Sequence, residues 1–229
     1  TREGITVKVY QGDIVRLPVV CIANSSNNIL SHGGGVAFAI AKAAGCDPDK
    51  EGEEYVRKHG PVPVTKFCVT SAGRLPYKYV IHVVGPQWNN YQQDEKDRCC
   101  DDLKKTIVNC LIEANRLRVD SIAIPSISSG IYGVPKPLCA NMYAQGVTEF
   151  SKTFGMQSIK EIHFVDKASE MCQLTQLAFD TEFNSPNNNN AKNSWETNQS
   201  HIMDNHPPAR PRLEQTSEKL TFKTLPYKK

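Results

Sequence analysis

The chain lacks what a membrane protein, a nucleic-acid clamp or a disulfide scaffold would need. No run in its 229 residues approaches the ~20 consecutive apolar residues of a membrane-spanning helix, which excludes that architecture. Excess charge of one sign is scarce. The 27 Lys+Arg against 24 Asp+Glu leave a net charge of +3, too little for a protein whose main task is holding a nucleic-acid backbone. Apolar residues are also few, at 39% against roughly 45–50% in a typical globular chain, so part of this one is expected outside a packed core. No apolar leader follows Thr1, and the chain reads as a piece of a longer protein.

Paired cysteine motifs are absent as well. The eight cysteines, at 21, 46, 68, 99, 100, 110, 139 and 172, form no CxxC pair and no Cys/His group with zinc-ligand spacing. Cys21 and Cys68 sit inside apolar runs, where a free thiol behaves as a small hydrophobe. Reduced structural cysteines in a cytosolic or nuclear protein are expected. Asn24-Ser25-Ser26 fits a glycosylation acceptor, but its place beside an apolar run marks the match as accidental.

From Asn184 the composition changes. Asn184-Ser185-Pro186 and the four asparagines after it, then His206-Pro207-Pro208-Ala209-Arg210-Pro211-Arg212, carry no apolar period. They cannot bury enough surface to offset their ordering entropy. Residues 184–229 are read as a linker or tail. They hold seven Lys/Arg and four Asp/Glu, so the body, 1–183, has 20 of each and no net charge.

Within the body, Ile5 to Tyr10 alternates with the period of a half-exposed strand. Val19 to Ala23, Phe67 to Thr70, Tyr79 to Val84, Ile122 to Ile124 and Ile159 to Val165 read as further strands, several buried on both faces. Helical patterns lie between them, over Val36 to Ala44, Glu51 to His59, Asp94 to Arg118, Pro137 to Phe150 and Ser169 to Phe183, the last with Ser169 as N-cap. Alternating strands and helices imply an α/β fold, a three-layer α/β/α sandwich. The hairpin-like 66–84 region makes its sheet mixed.

Ligands of such folds bind where strands end, so the loops after them carry the functional signal. The first such loop, Asn24 to Val36, holds Asn27, Asn28 and the run His32-Gly33-Gly34-Gly35. Three glycines ahead of a helix let a ligand approach the bare main chain, and asparagine amides suit sugar hydroxyls. The second, Pro125-Ser126-Ile127-Ser128-Ser129-Gly130-Ile131-Tyr132-Gly133, again puts small residues between a strand and a helix, as an anion nest requires. The third, Gly12-Asp13-Ile14, offers a carboxylate that can accept from an exocyclic amine. None of the three matches G-x-G-x-x-G, a P-loop or a G-x-S-x-G elbow, which counts against a nicotinamide oxidoreductase, a P-loop nucleotidase and a serine hydrolase.

Together these segments resemble the macro domain, an ADP-ribose-binding module. Gly12-Asp13-Ile14, Asn24-Ser25-Ser26-Asn27, His32-Gly33-Gly34-Gly35-Val36-Ala37, Val83-Val84-Gly85-Pro86, Ala123-Ile124-Pro125 with Ser128 to Gly133, and Val165-Asp166 occur in the family's order across nearly all of 1–183. The look is closest to the first macro domain of the multi-macro-domain ADP-ribosyltransferases, and is similar to that of coronaviruses.

The resemblance implies that Asp13 reads the adenine amine with Ile14 beside it, and that Val165 and Asp166 flank the adenosine. Ser128, Ser129, Gly130, Ile131 and Tyr132 would wrap the diphosphate. Gly33, Gly34, Gly35 and Val36 would close over it near the distal ribose, which Asn27 would hydrogen-bond and Tyr132 would lie against. Asn24, Pro125 and Ser126 complete the implied contacts. Strongly active hydrolases of the family carry an aspartate where this chain has Ala37. In the coronavirus-like subset the reaction is attributed instead to Asn27-type positioning and a water held by the substrate's own phosphate. The implied catalytic residues are therefore Asn27, Gly34 and Tyr132, with His32 shaping the loop or facing solvent. The expected function is binding of ADP-ribose and mono-ADP-ribosylated proteins, with hydrolysis of the ester on acidic residues. The alternative is a non-catalytic reader. No metal, no cofactor, no membrane and no nucleic-acid partner is implied, and a monomer is expected.

Overall fold

The computed structural model describes Thr1 and residues 3–153 and 158–184. Apart from Asn184, the expected tail lies outside the described residues. The elements run β1 (Thr6–Gln11), a 3-10 turn (Ile14–Arg16), β2 (Cys21–Ser25), α1 (Gly35–Ala44), α2 (Cys46–His59), β3 (Phe67–Ser71) and β4 (Tyr79–Val83). Two further 3-10 turns (Trp88–Asn90, Gln93–Glu95) lead into α3 (Lys96–Arg116), β5 (Ser121–Pro125), α4 (Lys136–Thr153), β6 (Glu161–Asp166) and α5 (Ser169–Asn184). Among the described residues no helix is long and apolar enough to cross a membrane.

The sheet order is β1-β6-β5-β2-β4-β3. All pairings are parallel except the β3–β4 hairpin, which runs antiparallel from Phe67↔Val83 to Ser71↔Tyr79. The expected mixed three-layer sandwich is what forms, and the two-residue strand period shows why. Cys21, Ala23, Ile81, Val83, Ile122, Ile124, Ile162 and Phe164 point to one face, where they pack with Leu103, Ile107, Tyr143, Val147 and Phe179 of α3, α4 and α5. Ile22, Val80 and Ala123 point to the other, against Ile40 and Ala44 of α1, while Leu30, Val62 and Cys68 form a smaller cluster beside α2. Each fully buried Ile or Leu contributes about 1.5–3 kcal/mol, so a central sheet apolar on both sides needs helices on both.

Several element boundaries differ from the sequence reading, and three of the differences have a clear physical cause. The second strand begins at Cys21, not Val19, because its register with β4 runs from Cys21↔Tyr79 to Ser25↔Val83. Val19 is buried instead with Ile14 and Ile22. Helix α2 starts five residues before Glu51. Gly45, at φ 88, ends α1, and Asp47, Pro48 and Asp49 form a first turn whose charges suit the helix dipole. At α5 the cap is not Ser169, which is already helical. The Ala168 carbonyl accepts the Cys172 N–H (3.3 Å), and the Asp166 carboxylate accepts the Ala168 N–H (2.7 Å). All eight cysteines are free, with Cys21 and Cys68 buried as expected.

Candidate functional site

The parallel strands end along one edge of the sheet, and a cleft of about 700 Å³ opens there. Its wall brings together every residue implied at the sequence level except one: Asp13, Ile14, Asn27, Gly33 to Val36, Pro125, Ser126, Ser128 to Tyr132, Val165 and Asp166. Asn24 is the exception. It is fully buried at the end of β2, outside the wall, and its Nδ2 donates to His82 Nδ1 (3.1 Å). Its burial also removes it as a glycosylation acceptor. Gly12, Ser25, Ser26, Ser31, Ala37, Ala39 and Lys167 line the cleft as well. Lys167, directly after the β6 residues Val165 and Asp166, follows from the strand-end rule but carries no motif, so sequence reasoning passed it over.

At one end, Asp13 caps the 3-10 turn that follows β1. Its Oδ1 accepts the Val15 N–H (3.4 Å), and Lys167 Nζ lies 4.0 Å from Oδ2. Tyr77 supports the turn from below, donating to the Ile14 carbonyl (2.7 Å) and accepting the Leu17 N–H (2.9 Å). The carboxylate is thus oriented by backbone, with its second oxygen left for a partner.

In the first loop, Asn27 organises the turn. Its Oδ1 accepts the Ser31 N–H (2.9 Å) and its carbonyl accepts the Leu30 N–H (3.1 Å). The bond to Ser31 orients the side chain. Among the described residues its NH2 has no protein partner. The glycines that follow meet no protein atom within 4 Å of where a Cβ would sit. Packing therefore does not demand them at 33 and 34, and the space they leave belongs to the cleft; only Gly35, at φ 59, is required by its own backbone. Gly34 stands at the α1 N-cap with no side chain to cap it, so among the described residues the amides from Gly33 to Ala37 have no protein acceptor. An uncapped N-terminus of this kind favours an anion.

The second loop is tied from behind by its carbonyls. Tyr143 Oη donates to the Ile127 carbonyl (2.5 Å), the Val134 N–H to Ser128 (3.0 Å) and the Gly133 N–H to Gly130 (2.9 Å). Among the described residues no N–H from Ser126 to Tyr132 has a protein acceptor. Ser128 takes φ 66, a left-handed conformation that costs a non-glycine residue about 1–2 kcal/mol. At the tip Ile131 is 92% exposed. The two loops thus bring amides without protein acceptors to the wall of one cavity. Lys167 is the single cationic side chain among the described residues of its wall.

His32, just before the glycines, is buried rather than solvent-facing. Its side chain is 6% exposed and its ring stacks on His82 at 5.2 Å. Its Nε2 stands 3.5 Å from Asp49 Oδ1, and neither ring nitrogen has a hydrogen bond. Burial outweighs the attraction of Asp49 and lowers its pKa. His82, on β4, is constrained further. Thr70 Oγ1 donates to the Ser71 carbonyl and so accepts from His82 Nε2 (2.8 Å), while Asn24 Nδ2 and Ser26 Oγ donate to Nδ1. Both ring nitrogens are thereby committed to the neutral tautomer. Burial, followed by repulsion from His32, holds the pKa down at about 3.

A pH dependence follows. An unfolded imidazole titrates near ~6.5, so between ~6.5 and ~3 the unfolded chain binds more protons than the folded one. The stability is complete above pH ~6.5 and is lost as pH falls. His82 alone accounts for about 2 kcal/mol between pH 7 and pH 5, and His32 acts in the same direction. Urea midpoints at the two pH values check this; equal stability at both would mean His82 is not buried neutral.

Comparison with known proteins agrees with this geometry. A model of the macro domain family matches residues 23–143. An uncharacterized protein of Saccharolobus solfataricus is 44% identical over 141 residues, 62% of this chain and 76% of that one. Human protein mono-ADP-ribosyltransferase PARP14 is 36% identical over 181 residues, 79% of this chain but only 10% of that much longer protein. Among solved structures, the Oceanobacillus iheyensis macrodomain with ADP superposes with a TM-score of 0.72 at 28% identity, covering 79% of this chain and 93% of that one. A mutant of the same macrodomain was solved with ADPR (TM-score 0.70, 27% identity, 78% and 93% covered). With the strand order, the two amide-lined loops and the carboxylate after β1 all in place, this chain belongs to the macro domain family.

Proposed function

We propose that the chain binds ADP-ribose, free and attached to proteins, and hydrolyses the ester that joins it to acidic side chains. The observation that carries the binding is the pair of facing loops whose amides from Gly33 to Ala37 and from Ser126 to Tyr132 lack protein acceptors. A diphosphate is the ligand that such donors suit, because it brings charge and acceptor oxygens without requiring lysines. Asp13 at one end suits the adenine amine and Asn27 at the other suits the distal ribose, and macrodomains solved with ADP and ADPR support this assignment.

In the reaction, water bonds to the anomeric carbon, the carbon–ester oxygen bond breaks, and the acceptor carboxylate leaves with the electron pair. Water's proton passes to a phosphate oxygen of the ligand. Asn27, Gly34 and Tyr132 orient the sugar and the water. One observation favours a reader instead. Ala37, 8% exposed at the start of α1, places no carboxylate where strongly active relatives have one.

Titration calorimetry with ADP-ribose, ADP and AMP tests the binding. Affinity is expected to fall in that order, with AMP weaker than ADP-ribose by at least about tenfold, the loss of roughly one charge-assisted hydrogen bond. No heat with ADP-ribose would sink the reading. Incubation with a protein automodified on Glu/Asp then separates the two outcomes: release of the label supports the hydrolase, and binding without release over hours leaves the reader.

A further inference from the structure

Gly85, just past the end of β4, does not itself line the cleft, yet it sits against the second loop from behind. A Cβ built on it would stand 2.3 Å from Ser128 Oγ and 2.7 Å from Ile127 Cγ2. Ser128 is 3% exposed, holds a left-handed backbone at φ 66, and its hydroxyl has no hydrogen-bond partner. A buried, unpartnered hydroxyl on a strained residue is held there by what surrounds it. Three residues on, the Trp88 N–H donates to the Tyr132 carbonyl (2.8 Å). Trp88 is anchored in turn by Lys96 at the start of α3, whose Nζ donates to the Trp88 and Tyr91 carbonyls (2.6 and 2.8 Å) and lies 4.3 Å from the centre of the Trp88 ring. The segment after β4 therefore grips the loop at both ends of its row of bare amides.

We propose that Gly85 and the Trp88 amide are positioning residues for the diphosphate. The absence of a side chain at 85 lets Ser128 take the left-handed conformation, and the Trp88 bond turns the Tyr132 carbonyl back, so that the amides between them face the cleft. This rests on the reading of the cleft as a diphosphate site.

The test compares ADP-ribose affinity by calorimetry in the 229-residue chain. Gly85→Ala is expected to weaken ADP-ribose binding at least tenfold. Adding Ser128→Gly removes the nearer of the two clashing atoms and suits φ 66, and is expected to restore part of the loss, a rescue that general destabilisation would not show. Should Gly85→Ala fail to fold, Trp88→Pro is set against Trp88→Ala. Both lose the indole, but only proline loses the N–H, at the first position of a 3-10 turn where proline is tolerated. The proline variant is expected to bind at least fivefold more weakly. Equal binding by wild type and Gly85→Ala, an unrescued double variant, or equal binding by the two Trp88 variants overturns the proposal. Failure of wild type itself to bind ADP-ribose overturns the diphosphate reading instead.

Discussion

Replacing Asn27 with alanine is expected to slow release of ADP-ribose from a carboxylate ester by at least ~100-fold while weakening ADP-ribose binding by no more than about fivefold. The asymmetry comes from when the side chain is needed. In the bound state its amide offers one neutral hydrogen bond to a sugar hydroxyl, worth about 1 kcal/mol. During bond breaking the same rigid group must hold the ribose while charge develops at the anomeric carbon, and misplacing it there costs far more. The rigidity is built in, because Asn27 Oδ1 is already committed to the Ser31 N–H at 2.9 Å. Single-turnover release from an automodified protein, beside calorimetry on the same variant, measures both quantities. An unchanged release rate would remove Asn27 from the mechanism. Equal losses in release and affinity would reduce it to a binding residue.

The second large effect concerns the other end of the cleft. Asp13→Ala is expected to weaken ADP-ribose binding by about 10–100-fold, as loss of a hydrogen bond to a charged acceptor does. The same variant should no longer distinguish ADP-ribose from an analogue whose base lacks the 6-amine. Wild type should prefer the amine by a similar factor, which makes the pair a double-mutant cycle between protein and ligand. The salt bridge to Lys167 does not compete strongly. At 4.0 Å, with Lys167 74% exposed, it is screened by water. If both proteins discriminate equally, another group reads the base.

Much of the molecule was legible in the linear sequence. Short apolar runs alternating with amphipathic stretches established the layers, and the β3–β4 hairpin was visible in the spacing of 66–84. Glycine runs and small-residue loops after strands marked the cleft, because any parallel sheet brings its strand ends to one edge. Element types and the identity of the loops depend on local periodicity and turn chemistry, which a chain carries wherever it folds.

What tertiary structure alone decided is which side of each backbone a residue presents, and to whom. Asn24 and Asn27 stand three apart in one motif, yet pairing of β2 with β4 buries the first against His82 and leaves the second in the cleft. His32 carries the same glycine-run signature in either position, and only the stack on His82 places it inside. Gly85 shows nothing of its contact with Ser128, because the two meet across 42 residues of intervening chain. Lys167 enters the cleft by the direction of β6, not by a motif. Periodicity is a property of neighbours in sequence. Burial, partnership and protonation are properties of neighbours in space, and they arise only once the sheet register brings distant strands together.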